Sequence, residues 1–188
     1  MSKPDQLIAL WDDTRKGNEN AFALLHGELY PGLFSYIRKI TRDDDAADDL
    51  LQDLFLKFWE TSARIGAIRN VKSYFYRAAR CTVLNQLKSA QLKMARMEAM
   101  PVPDLEFSKE ELILSGEVTA ALSGKLASAV NRLPEKQREV MYMRFYENME
   151  YTQIAEITGI RYQSVVNHIY RAVQLMRDTL NLKDVYVV

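Results

Sequence analysis

The sequence predicts an all-α protein made of two small helical domains joined by a flexible linker, with a helix-turn-helix in the C-terminal domain. Three observations carry this. Apolar residues recur at steps of three and four over long stretches, while only 7 Gly and 5 Pro are spread over 188 residues, which disfavours a β-rich or disordered chain. The segment Met100-Pro-Val-Pro-Asp104 cannot continue a helix and opens an acidic connection, so the domain boundary belongs there. Beyond it, Tyr151 to Arg171 has the spacing of two helices around a sharp turn at Gly159, because a residue without Cβ enters positive φ cheaply.

Taken in order, Asp5 to Arg15 reads as a short amphipathic helix with Leu7, Ile8 and Trp11 on one side, closed by Lys16-Gly17-Asn18. Asn20 is a candidate cap for a second helical stretch running to Ile40, bent or interrupted near Pro31-Gly32. Asp43 or Asp44 opens a third helix to about Trp59, with acids in its first turn where they favour the helix dipole. A fourth, long helix is expected from Val71 to about Met97. After the linker come a helix near Glu110 to Asn131, one from Glu135 to Tyr146 with Pro134 at its start, and the helix-turn-helix. The expected domains are 1–97 and 112–188, with 98–111 between them.

Two histidines, His26 and His168, fall in different domains, and no glycine-rich phosphate loop or metal-spaced His/Cys set is present. The sequence therefore suggests no enzyme, no metal and no cofactor. His26 reads as structural. Cys81 is the only cysteine, which excludes an internal disulfide and fits a reducing cytoplasm; it is expected to be a small buried hydrophobe. No apolar run approaches the roughly 20 residues that span a bilayer.

A net charge of zero conceals segregated blocks: residues 41–60 sum to −5 and residues 61–97 to +8. A partner feels such local fields, because charges more than about 10 Å apart are largely screened. On the third helix, Ala47, Leu50, Leu51, Leu54, Phe55 and Phe58 form a core stripe. Asp45, Asp48, Asp49, Gln52 and Asp53 occupy the other face with Leu56 among them, which suits docking to a basic partner. On the fourth helix, Phe75, Ala79, Val83 and Leu87 form the core. Lys72, Tyr76 and Arg80 form a column flanked by Arg77 and continued by Lys88. Cations one turn apart around an aromatic suit a nucleic-acid strand, with the ring free to stack a base. The Ile65–Asn70 loop, with Gly66, Arg69 and Asn70, is shaped to close over something small. In the last helix Val165, Ile169, Ala172, Val173 and Met176 face the core. Arg161, Tyr162, Gln163, Ser164, Asn167, His168 and Arg171 start the helix and follow its polar stripe, where a major groove is read.

The order of these features resembles the extracytoplasmic-function sigma factors of bacterial RNA polymerase over about residues 20–88 and 116–181. Its most specific pieces are Asp48-Asp-Leu-Leu-Gln-Asp-Leu-Phe-Leu-Lys-Phe-Trp59 and Leu133-Pro-Glu-Lys-Gln-Arg-Glu-Val140. The resemblance implies that the Asp48–Trp59 helix, including Trp59, binds the β′ clamp of core polymerase and that the C-terminal domain meets the β flap. It implies that the Ile65–Asn70 loop and the helix from Lys72 melt and capture the minus-10 element of promoter DNA, and that the helix-turn-helix reads minus-35. An anti-sigma factor is a further implied partner. Val166 and His168 stand where the family often has Lys and Arg, which weakens the phosphate contact expected there. The rival readings are a dimeric helix-turn-helix regulator binding operators and a response regulator. The second needs an α/β receiver that this sequence lacks, and the first leaves the acidic docking helix unexplained.

Overall fold

In the computed structural model, residues 3–93, 103–107 and 120–180 are described. The chain divides into two compact units, residues 1–101 and residues 102–188, residues 156–158 excepted from the second. In the first lie α1 (Lys3–Thr14), α2 (Glu19–Thr41), α3 (Asp44–Thr61) and α4 (Val71–Lys93). In the second lie α5 (Ala120–Asn131), α6 (Glu135–Met141), a π-helical turn (Tyr142–Tyr146), α7 (Tyr151–Thr158) and α8 (Tyr162–Leu180). The expectations for residues 94–97, for the Met100–Val102 part of the linker and for the helical stretch 110–119 lie outside the described residues.

The first unit is built around α2, which packs on α1, α3 and α4. Its N-cap is Asn18, not Asn20: the Asn18 side-chain oxygen accepts from Ala21 N–H at 3.1 Å, while Asn20 is already inside the helix. Either Asn satisfies the propensity rule, and the position of the preceding turn selects between them. The expected interruption at Pro31 does not occur, and α2 runs through it. Long helices tolerate proline where tertiary packing holds both flanks, and Leu29 and Leu33 are buried on either side of it. At its end Arg42 takes φ +59 and donates to Arg38 O at 2.8 Å. Asp43 then caps α3, its carboxylate accepting from Ala46 N–H at 3.1 Å. The six apolar residues expected to face inward from α3 are the six it buries.

The second unit closes on α8, against which α5 and α6 pack. Gly159 ends α7 at φ +73, its N–H donating to Ala155 O at 2.9 Å. This is the left-handed cap that ends α7 and lets the chain turn into α8. Val165, Ile169 and Ala172 are buried beneath it. Part of the expected linker belongs to this unit. Phe107 exchanges two hydrogen bonds with the Asn131 side chain, N–H to Oδ1 at 3.0 Å and Nδ2–H to O at 2.9 Å. Asp104 pairs with Arg138, and Leu105 and Phe107 are buried. The Phe107 ring packs against Tyr142 and Tyr146, at 6.1 and 5.3 Å between centroids. The Pro and acidic residues gave the segment a linker composition, and two apolar side chains with one amide were enough to dock it.

Phe107→Ala is expected to cost the second unit about 3–5 kcal/mol, the usual loss for emptying a buried aromatic site. Both tryptophans, Trp11 and Trp59, lie in the first unit. In a urea titration far-UV circular dichroism should therefore show early loss of helix while tryptophan fluorescence keeps its wild-type midpoint.

Candidate functional site

On the outer face of α3, Asp45, Asp49, Gln52 and Asp53 are exposed, and Leu56 projects among them at 57% exposure. Asp48 is half-buried. It accepts hydrogen bonds from the Tyr30 hydroxyl and from Gln52 Nε2, the latter at 2.8 Å, so its carboxylate is held in place. Burial first, and then the bond to Asp48, push the Tyr30 phenol up to about 12. Trp59 is half-buried at the end of the stripe, its ring 5.2 Å from that of Phe22. Beneath this face His26 lies 4.5 Å from the Phe55 ring and stacks on Tyr30 at 4.9 Å. Burial lowers its pKa below the usual histidine value.

The basic face of α4 differs from its expected form. Tyr76 is 1% exposed, with its ring 5.7 Å from Tyr36 and the Lys72 ammonium 5.5 Å over it. It is a core residue and presents no stacking face at the surface. The reason is the breadth of contact: α1, α2 and α3 all pack on α4, so the buried arc reaches past Phe75 and Ala79 to include Tyr76 and Leu84, while Leu87 is only half-buried. Lys72, Arg80 and Lys88 are half-exposed, and Arg77 and Arg69 are exposed. Cys81 is exposed as well, contrary to expectation; two residues beyond Ala79 it points away from the core. Asn70, expected as a ligand-facing group of the loop, caps α4 by accepting from Ser73 N–H at 3.0 Å.

Arg161, just before α8, and Tyr162, Gln163, Asn167 and Arg171 on it are exposed, and Ser164 and His168 are half-buried. Gln163 Nε2 donates to Asn167 Oδ1 at 3.3 Å, so the two amides form one hydrogen-bonding surface. Burial, then the charges of Lys136 and Arg171, lower the His168 pKa. Tyr170 is 64% exposed on the same helix, a residue the stripe of three- and four-residue steps passed over. Among the described residues no group of three or more His, Cys, Asp or Glu could hold a metal ion, and no helix is long and apolar enough to cross a membrane.

An acidic helix and a basic helix in one helical unit, with a helix-turn-helix in the next, define a DNA-binding protein that also carries a surface of opposite charge. Comparison with known proteins makes the class specific. A sigma-70 region 2 family model matches residues 25–92 and a sigma-70 region 4 model matches residues 123–176. Among similar proteins, RNA polymerase sigma factor SigV of Bacillus subtilis is 27% identical over 84% of this chain and 87% of its own length. ECF RNA polymerase sigma factor SigL of Mycobacterium tuberculosis is 27% identical over 83% and 86%. The fold matches CnrH, solved in complex with the cytosolic domain of CnrY, at a TM-score of 0.64 and 18% identity over 95% of this chain and 99% of that one. It also matches sigma factor RpoE, solved with the anti-sigma factor NepR from Bartonella quintana, at 0.61 and 18% over 86% and 98%. The chain belongs to the extracytoplasmic-function group of the sigma-70 family of RNA polymerase sigma factors. That membership displaces the operator-binding dimer.

The lowered His26 pKa sets a pH dependence. The folded chain binds that proton more weakly than the unfolded chain, so the stability His26 contributes is present above the unfolded pKa of about 6.5 and is lost as pH falls through the folded value. Urea midpoints at pH 7.5 and 5.5 should fall further apart in the wild type than in His26→Gln.

Proposed function

We propose that this sigma factor, working in the cytoplasm without catalytic activity of its own, uses three surfaces. The face of α3 with Asp45, Asp48, Asp49, Gln52, Asp53, Leu56 and Trp59 docks core RNA polymerase on the β′ clamp. The Ile65–Asn70 loop with Arg69, and the flank of α4 with Lys72, Arg77, Arg80 and Lys88, receive the melted minus-10 strand. The exposed start and stripe of α8, Arg161 to Arg171, enter the minus-35 major groove. The second unit also meets the β flap, and an anti-sigma factor, such as the one solved with RpoE, is a further partner.

The observation that carries this reading is the acidic face of α3 with Leu56 exposed at its centre. A helix-turn-helix regulator has no use for it, whereas a basic polymerase element would bury the leucine and neutralise the acids. In Asp49→Lys with Gln52→Lys, helical content should stay at wild-type level, because both side chains are exposed, while holoenzyme formation and promoter-directed transcription by core polymerase are abolished. Unchanged polymerase binding would remove the assignment.

For α8, bidentate pairing of Gln163 or Asn167 with adenine would discriminate by about 1–3 kcal/mol per base pair. Asn167→Ala should relax preference at a single position in a randomised minus-35 library. Arg171→Ala, if that cation meets phosphate, should weaken all sequences alike and reduce the salt slope.

A further inference from the structure

The region 2 match begins at residue 25, so α1 lies outside every segment to which a role has been attached. Its side chains nonetheless reach the Ile65–Asn70 loop. Arg15, just past the end of α1, donates from Nε to the carbonyl of Ile65 at 2.8 Å, and Trp11 donates from Nε1 to the carbonyl of Gly66 at 3.5 Å. The Trp11 ring is fully buried, edge-on to Phe75 of α4 at 5.8 Å. Asp12 holds the Arg15 guanidinium from the other side at 3.4 Å. The helix is thus locked to the core by one residue and to the loop by two.

The other end of the loop is held separately. Asn70 caps α4 with its side chain, and its carbonyl accepts from Tyr74 N–H at 3.0 Å. Between the two anchors Ala67 and Arg69 are exposed. Gly66 does not take a positive φ, and a methyl group there would meet nothing within 4 Å. The shape of the loop therefore comes from its anchors and not from glycine flexibility. A hydrogen bond from a guanidinium to a carbonyl is short and strong among protein hydrogen bonds.

We propose that α1 is a brace for promoter capture: Arg15, supported by Trp11, is a positioning residue that fixes the Ile65–Asn70 loop in the shape that seats an unstacked base of the minus-10 strand. This rests on the minus-10 assignment given above, but the mechanical part can be judged without it. In the free protein, Arg15→Ala should speed amide hydrogen exchange at Ile65, whose N–H donates to the Thr61 carbonyl at 3.1 Å, while amides of α2 and α3 keep wild-type protection, and Arg15→Lys, which keeps a cationic donor, should restore most of it. Gly66→Ala should behave as wild type.

With holoenzyme, the readout is base preference in a randomised single-stranded minus-10 library. Arg15→Ala should lose roughly ten- to a hundredfold of discrimination at the base or two seated in the loop, the factor that one hydrogen bond to a charged group carries. Neighbouring positions should keep their preferences, and Arg15→Lys should recover most of the loss. Unchanged loop exchange in Arg15→Ala overturns the brace. So does an equal weakening at every position, which would mark a merely structural role. If wild-type holoenzyme shows no minus-10 preference at all, the minus-10 assignment falls, and the exchange measurement alone decides whether α1 braces the loop.

Discussion

Phe75 sits fully buried where α1, α3 and α4 meet, and the geometry of the first unit depends on that packing. Its ring lies 4.0 Å from Phe58, 5.7 Å from Phe55 and 5.8 Å from Trp11. Aromatic side chains bury large areas and prefer defined ring geometries, so this cluster fixes the rotation of each helix about its own axis. Once Phe55 and Phe58 point at Phe75, Asp45, Asp49, Gln52 and Asp53 must point away from it. The acidic face is a consequence of the aromatic core. The same cluster fixes Trp11, and through it the helix that reaches the loop before α4.

The second unit solves a different problem with smaller means. Its helices other than α8 are short and have little apolar surface, and the unit adds to it by docking Leu105 and Phe107 from a segment of linker-like composition. The amide of Asn131 satisfies both backbone groups of Phe107, which would otherwise be costly to bury. Gly159 then directs α8 so that Val165, Ile169 and Ala172 close the core, leaving Gln163, Asn167 and Arg171 outward. Core and exposed polar stripe are again two sides of one helix.

Charge is segregated by element along the described residues. Acids and an exposed leucine lie on α3, cations on the loop and α4, and amides with arginines on α8. These surfaces have different physics. Long-range attraction brings charged partners together and responds to salt, whereas the base discrimination proposed for α8 would depend on hydrogen bonds that act only in contact.

Periodicity alone determined much of this. The six buried residues of α3, the Asp43 cap, the turn at Gly159 and the burial of Val165, Ile169 and Ala172 on α8 each follow from local rules: helical spacing, cap chemistry and the freedom of glycine. Val173 and Met176, expected in the same stripe, are only half-buried. The family itself was legible in two short motifs. Tertiary structure decided the rest, because it depended on how many neighbours an element has. Tyr76 looked like part of a surface column on α4, yet three helices cover α4, and the buried arc widened to take it. Cys81 fell outside that arc and Leu84 within it. Asn18 displaced Asn20 as a cap by two residues, because the preceding turn ends there. The bonds from Arg15 and Trp11 to Ile65 and Gly66 join residues about fifty positions apart, and no local pattern encodes a contact whose donor and acceptor meet only after the helices have packed.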